Sequence, residues 1–192
     1  MSQHLAKPER IAAILPCYSA TGDTTKIITT DGLTNTSDVR IRTIVRRLAL
    51  SRATDLLALK KRAASATQSS ILQPLPLTPG LVLCPVKVRT PRVAGDTSTG
   101  YINYYAIKSV EKTSQAPYQA IIILVGGIQL PVLWTVPTVN KHLQNARLAM
   151  HYAPQHSHCG VHEDVKVYAP EIVPIIQKFV EVICDIVAAK QR

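Results

Sequence analysis

The hydrophobic residues of this chain recur with two different spacings, which change from one segment to the next. Residues 11–15 form a short apolar run that ends at Pro16, and residues 26–30 form a second run. The Asp31-Gly32 pair that follows is typical of a turn. Both runs have the length and composition of β-strands, so we predict that the chain opens with two neighbouring strands.

Helical spacing appears next, in residues 39–52. Four apolar residues there follow the i, i+3, i+4, i+7 pattern that places side chains on one helical face: Ile41, Ile44, Val45 and Leu48. Asp38 stands where a side chain can cap the first turn. We therefore predict an amphipathic helix here. For residues 55–66 the pattern leaves two possibilities open, a second short helix or a basic loop.

The second half of the chain returns to strand patterns. The prolines and Gly80 within residues 74–80 indicate a connection between elements. Four later runs are predicted to be strands, at residues 81–88, 100–110, 120–125 and 128–134. The last two flank Gly126-Gly127, a pair typical of a two-residue hairpin loop.

Two further helices are predicted towards the end of the sequence. Residues 138–152 repeat apolar positions at helical spacing behind Thr138, a candidate cap, and residues 171–190 have a wide apolar face. The predicted fold class is α+β, a mainly antiparallel sheet with a basic helix and a second helix packed on it, plus a C-terminal amphipathic helix. We expect residues 1–153 to form this domain. Residues 154–192 would form a linker and a helix used for packing, oligomerisation or partner binding.

The charge of the chain is concentrated in one place. The 192 residues carry a formal net charge of +10, and residues 39–62 hold eight basic residues and one acid. With 46% hydrophobic and 18% charged residues, the composition is that of a folded chain. A helix that buries one face and presents guanidinium groups on the others favours a polyanionic partner over a solvated basic surface without a ligand.

Other sequence features indicate the compartment. The chain has no run of about 18 apolar residues that would span a bilayer, and its first residues lack the apolar segment of a signal peptide. The four cysteines lie far apart. We therefore expect a soluble, cytoplasmic protein with reduced thiols and no membrane contact.

The sequence offers little for catalysis. The twelve acidic residues show no paired carboxylates, and nucleophile and phosphate-binding motifs are missing, so we do not expect an enzyme. One cluster has metal-ligand chemistry: His156, His158, Cys159 and His162. Its spacing is not that of a zinc finger, which favours a polar loop, and no metal or cofactor is expected.

Tyrosines provide a second nucleic-acid hypothesis. Tyr101 and Tyr105 are predicted to share one face of a strand, with basic residues nearby. Such a pair is either half-buried in a sheet or a stacking platform for single-stranded nucleic acid, and we favour the half-buried interpretation.

The order of these pieces resembles the ComK family of competence transcription factors over about residues 10 to 150. Six features carry the resemblance. They are the opening strand that ends at Pro16, Lys26-Ile27-Ile28 in the next strand, the basic helix followed by Ser51-Arg52 and Lys61-Arg62, the strand 81–85, the hairpin residues 127–131, and Gln144 with Arg147. The sequence departs from the family at Leu57-Ala58-Leu59, where the family has glycines.

The resemblance implies a transcription activator that binds AT-rich double-stranded DNA as an oligomer, with contacts in the minor groove. The main DNA contacts would be Arg40, Arg42, Arg46, Arg47, Arg52, Lys60, Lys61 and Arg62. Further contacts would be Lys87, Arg89, Arg92, Lys141, Gln144, Asn145 and Arg147. The resemblance also implies a binding site for a degradation adaptor at Val165, Val167, Tyr168 and Pro170. Two alternatives stay open, an RNA- or single-strand-binding module and a protein-interaction domain that binds no nucleic acid.

Overall fold

A computed structural model describes residues 10–20 and 22–150, with a six-stranded antiparallel sheet at the centre. In chain order its strands are β1 (Ile11–Ser19), β2 (Gly22–Thr29), β3 (Thr34–Ser37), β4 (Leu75–Thr78), β5 (Leu81–Lys87) and β6 (Thr99–Asn103). In space the order is β3-β2-β1-β6-β5-β4. Two three-stranded meanders are therefore joined by the pairing of β1 with β6.

A second, three-stranded antiparallel sheet and three helices complete the described part. The second sheet contains β7 (Ile107–Lys112), β8 (Ala120–Leu124) and β9 (Gln129–Val132). The helices are α1 (Ile41–Leu50), α2 (Leu56–Thr67) and α3 (Val136–Met150). The prediction of an α+β fold with a mainly antiparallel sheet is confirmed. The helix predicted over residues 171–190 and the domain boundary predicted at residue 153 lie outside the described residues.

The six-stranded sheet is buried on both faces. Leu81 and Leu83 of β5 pack with the apolar residues of α1 and α2 on one face. Val82 and Cys84 pack with Ala146 of α3 on the other face. This division follows from the alternation of side chains along a strand. The second sheet also packs on the α3 face, so the described part of the chain has helices on one side of the central sheet and a mixed layer on the other.

A β-bulge in β1 adjusts the first strand to both layers. Ile11 pairs with Thr29 and Ala13 pairs with Ile28, so β1 has one extra residue, Ala12, against β2. With the bulge, Ile11 and Ile14 both join the core under α1 and α2, although they are three residues apart. Ala12 and Ala13 join the core on the other face.

Helix α1 buries the face that the sequence predicts, but it begins later than predicted. Its buried residues are Ile41, Ile44, Val45, Leu48 and Ala49. The prediction that Asp38 caps the helix is wrong, because Arg40 occupies the N-cap position and no side chain caps it. The hydroxyl of Thr25 donates to the carbonyl oxygen of Val39 at 2.6 Å, which holds that residue against β2 and leaves the helix to begin after it.

Residues 55–66, for which a helix and a loop were both possible, form most of α2. The carboxylate of Asp55 accepts hydrogen bonds from the backbone N–H groups of Leu57, at 2.7 Å, and Ala58, at 3.4 Å. This N-cap satisfies two of the donors that a helix leaves unpaired at its start.

The prediction of a single strand over residues 100–110 is wrong. The chain pairs as β6 up to Asn103, makes one 3₁₀ turn over Tyr104–Ala106, and continues as β7 in the other sheet. The side chain of Asn103 accepts a hydrogen bond from the N–H of Tyr105 and so caps the turn. The alternation of side chains is interrupted at this turn, which places the two halves of the segment in different sheets.

Three smaller differences have local causes. The predicted connection at residues 74–80 contains β4, an edge strand in which Pro76 is tolerated. The Gly126-Gly127 hairpin is confirmed, but its loop has three residues, because the N–H of Leu124 donates to the carbonyl of Ile128. In α3, Thr135 rather than Thr138 caps the helix, since its Oγ1 accepts from the Thr138 N–H at 3.4 Å.

No helix within residues 10–150 is long and apolar enough to cross a bilayer.

Candidate nucleic-acid interface

The exposed side of α1 carries the arginines that the sequence predicts to be outside. Arg42, Arg46 and Arg47 are exposed, while the opposite side of the helix packs on the central sheet. Arg40 is also exposed, immediately before the first turn. Burial of one helical face therefore orients four guanidinium groups into solvent.

Helix α2 adds three cations to the same layer. Lys60, Lys61 and Arg62 are exposed, between the buried residues Leu59 and Ala63. Within the described part of the chain, none of the seven exposed cations of α1 and α2 forms an ion pair. Arg52, in the loop between the helices, is half-buried and already has an interaction partner. The layer thus presents seven charges that form no ion pair with a described acid.

A groove of about 980 Å³, here called the α1–α2 groove, lies among these residues. Its cations are Arg42, Arg46 and Lys60. Its apolar lining consists of Val45, Ala49, Leu50, Ala53, Leu56, Leu57, Leu72 and Tyr101. Burial raises the pKa of the Tyr101 hydroxyl above its ordinary value of 10, and the charge of Arg42 partly opposes that shift. The apolar residues of this groove were not among the predicted site residues. The apolar residues Leu56 and Leu57, just before the basic run 60–62, are the sequence signal that could have indicated it.

Two of the predicted contacts, Arg89 and Arg92, belong to a cluster beside the end of β1. Arg89 Nη2 lies 2.5 Å from Asp23 Oδ1, and its Nε donates to the carbonyl of Thr97 at 2.9 Å. The guanidinium carbons of Arg89 and Arg92 lie 3.9 and 4.3 Å from the ring centroid of Tyr18. Arg89 is thus engaged with an acid, whereas Arg92 remains exposed.

The hydroxyl of Tyr18 links this cluster to the loop that follows β5. It donates to Asp96 Oδ2 at 2.5 Å and accepts from the backbone N–H of Arg92 at 3.0 Å. The hydrogen bond from Tyr18 is the largest cause that lowers the pKa of Asp96 below its ordinary value. Lys87, at the end of β5, is exposed next to this loop. The cluster therefore fixes the loop, and Lys87 and Arg92 are the cations that it leaves exposed.

The α3 residues of the predicted set lie on the other face of the central sheet. Lys141, Gln144 and Arg147 are exposed, and Asn145 is half-buried. The structure therefore does not bring these residues together with those of α1. The α3 residue His142 stacks on Trp134, with ring centroids 4.3 Å apart. Burial, and secondarily the charge of Lys141, lowers the pKa of His142 below 6.5.

The tyrosine platform is not formed. Tyr101 is half-buried in β6, where it packs against the core under α1 and α2. Tyr105 is exposed on the 3₁₀ turn, and its hydroxyl donates to the Met150 sulfur at 3.2 Å. The prediction that these rings share a strand face is wrong because the strand ends between them.

Both described cysteines, Cys17 and Cys84, are free. Burial raises the pKa of the Cys84 thiol to about 12. The cluster His156, His158, Cys159 and His162 and the proposed adaptor site at Val165, Val167, Tyr168 and Pro170 lie outside the described residues.

Comparison of the chain with protein-family models, with curated proteins and with solved structures found no match. The resemblance to the ComK family therefore stays a prediction from the residue pattern.

Proposed function

We propose that this protein is a cytoplasmic transcription activator that binds AT-rich double-stranded DNA as an oligomer through the layer formed by α1 and α2. One observation carries the proposal. Seven exposed cations project from two neighbouring helices on one face of the sheet, and no described acid pairs with them. Such a surface neutralises phosphates and releases their counterions on binding. The preference for AT-rich duplex and the oligomeric state come from the resemblance to the ComK family.

The cations of α1 are all arginines, which suit the proposed contact with the minor groove better than lysines would. A narrow minor groove in AT-rich DNA concentrates negative potential, and guanidinium groups inserted there gain most from it. Arg42 and Arg46 are one helical turn apart, and Arg47 follows directly. The lysines of α2 would serve as phosphate contacts, which position the protein without reading the sequence.

The single-strand alternative loses its main support in the structure. A stacking platform needs exposed aromatic rings beside the basic surface. Tyr101 packs under the helices and Tyr105 lies on another element.

The protein-interaction alternative is decided by the salt dependence of binding, because binding to a neutral partner lacks the steep slope of polyanion binding.

A mobility-shift titration with AT-rich and GC-rich duplexes at several salt concentrations tests the proposal. We expect tighter binding to the AT-rich duplex, and a slope of log affinity against log salt of about −0.9 for each phosphate contacted. The double variant R46A/R47A should lower affinity by about tenfold or more and reduce the slope by about two.

The matched control removes two exposed lysines from the second sheet, on the other side of the molecule, in the double variant K108A/K112A. It should leave the affinity and the slope nearly unchanged. Equal losses in both double variants would mean that the net charge, and not the α1–α2 layer, carries the binding. No loss in R46A/R47A would show that the proposal is wrong.

A further inference from the structure

The α1–α2 groove has an apolar end and a cationic end. The apolar end lies where α1 passes into α2 and is lined by Leu50, Ala53, Leu56 and Leu57. The cationic end begins at Arg42. Arg46 lies one turn before Leu50 and Lys60 lies one turn after Leu56, so both border the apolar end. Arg42 and Leu50 are eight residues apart on α1, which separates them by about 12 Å along the helix axis. Along α1, the groove therefore passes from a cation at Arg42 to an apolar side chain at Leu50.

Two of the three leucines at the apolar end are exposed to solvent, and Leu56 is half-buried. Leu50 is 65% exposed and Leu57 is 64% exposed, although both line a concave surface. An apolar lining with a few charged groups converging on it is the common composition of a small-ligand site. Each methylene that a ligand buried there would raise its affinity about fourfold.

The cationic end has the charge and the donors for an anionic head group. The acid that lines the groove, Asp55, accepts hydrogen bonds from the backbone N–H groups of Leu57 and Ala58 as the cap of α2. Two arginines one turn apart offer planar donor groups that match a carboxylate. Tyr101 also lines the groove, and its hydroxyl makes no hydrogen bond within the described residues.

We propose that the α1–α2 groove binds a single-chain anionic amphiphile of the long-chain fatty acid class. The carboxylate lies between Arg42, Arg46 and Lys60, and the acyl chain lies along the leucines towards the loop. The volume of about 980 Å³ is at the upper end of the range for small-ligand sites, about 300–1,000 Å³. An acyl chain fits this lining better than a nucleobase, because the lining is aliphatic apart from Tyr101.

Binding in the groove has a regulatory consequence. The three cations that hold the carboxylate are also proposed DNA contacts, so the amphiphile and DNA compete for them. This part of the inference rests on the proposed function, whereas the ligand site itself does not.

Calorimetric titration of the full chain with laurate, myristate and palmitate, each below its micelle-forming concentration, tests the site. We expect saturable binding of one molecule, with an affinity that rises at least tenfold from laurate to palmitate. The uncharged 1-dodecanol should bind at least fivefold more weakly than laurate, since it lacks the carboxylate.

A matched pair of surface variants ties binding to the groove. L57Q replaces an exposed leucine of the groove and should weaken laurate binding at least fivefold. Because Leu57 is exposed, the substitution should leave the fold intact. L148Q replaces a leucine of α3 that is 50% exposed and should bind laurate as the native protein does. Circular dichroism of both variants confirms that the fold is intact.

Three outcomes would overturn the site. They are the absence of saturable laurate binding, equal binding by L57Q and the native protein, and sedimentation with anionic phospholipid vesicles without any binding of free laurate. The last would assign the groove to a membrane surface.

The mobility-shift assay then separates the two proposals. Laurate should weaken DNA binding by the native protein and have little effect on L57Q. If laurate binds but leaves DNA affinity unchanged, the regulatory part is wrong and the site stands. If the protein does not bind DNA, the proposed function fails while calorimetry still decides the site.

Discussion

At the scale of single residues, Asn103 joins the two sheets. Its side chain is 1% exposed and uses its full bonding capacity across four different segments. Its Nδ2 donates to the carbonyls of Ile11 and Gly80, each at 3.0 Å. Its Oδ1 accepts from the N–H groups of Val82, at 3.2 Å, and Tyr105, at 3.3 Å. One amide therefore ties β1, the β4–β5 turn, β5 and the 3₁₀ turn together.

Replacing this amide should cost more stability than an average substitution. N103A removes two buried hydrogen bonds, to the Ile11 carbonyl and from the Val82 N–H, and two part-buried ones, so we expect the free energy of unfolding to fall by about 2–4 kcal/mol. Urea denaturation measures the loss. The control, N35A, removes an exposed asparagine of β3 and should change stability by less than about 0.5 kcal/mol. A loss below about 1 kcal/mol in N103A would contradict the role given to Asn103.

At the scale of elements, the two basic helices differ in how they begin. α2 has a side-chain cap, Asp55, whereas α1 begins at Arg40 without one. The helices also differ in burial, because α1 buries five residues and α2 buries two. α1 is therefore held chiefly by packing on the sheet, and α2 depends more on its cap.

The two aspartates next to these helices allow a direct comparison. D55A removes the cap of α2 and should lower the free energy of unfolding by about 1 kcal/mol. D38A removes the residue that the sequence suggested as the cap of α1, and we expect almost no change. Urea midpoints of both variants at one pH and salt concentration check the prediction. Equal losses would mean that both effects come from charge, since each variant removes one acid from the same basic layer.

The sequence predicts elements in which apolar residues recur at regular spacing, and it does not predict elements that depend on residues distant in the chain. The spacing in α1 and the two glycines between β8 and β9 depend on neighbours in sequence, so local pattern was sufficient. The side chain of Asn103 caps the turn after it, and contacts with Ile11 and Gly80, which are remote in sequence, hold that side chain in place. In the sequence, the strand-like pattern of residues 100–110 runs on across the turn and conceals it.

The candidate site shows the same division. The outward direction of Arg42, Arg46 and Arg47 follows from the buried face of α1, and was predictable. The pairing of Arg89 with Asp23 joins residues 66 apart, and no local pattern contains it. The location of α3 on the opposite face depends on the topology of the whole sheet, which separates Arg147 from the α1 arginines.

At the scale of the whole molecule, charge is distributed unevenly around a neutral core. The formal net charge is +10, and seven cations of one layer have no described acidic partner. Like charges at such density repel one another and destabilise the compact state. Salt screens this repulsion over a distance of about 10 Å at 0.1 M.

Sodium chloride should therefore stabilise the protein in the absence of DNA. Raising its concentration from about 0.05 M to about 0.5 M should raise the thermal midpoint, because it screens repulsion within the α1–α2 layer. Differential scanning fluorimetry measures the change. R46A/R47A should show a smaller increase than the native protein, and K108A/K112A should show nearly the native increase. A midpoint that falls with salt would show that attractive ion pairs outweigh the repulsion.

The pairing of β1 with β6 has a consequence for how the protein folds. It rests on two residue pairs, Ala13 with Ile102 and Ile14 with Tyr101, whose partners are remote in sequence. Each meander can form from local contacts, whereas this seam closes a long loop and belongs to the slow, non-local part of folding. Tyr101 lines the α1–α2 groove together with residues of α1. The part of the groove that Thr99 and Tyr101 line is therefore completed only when this seam forms, so we expect a nascent chain that lacks β6 to have an incomplete groove.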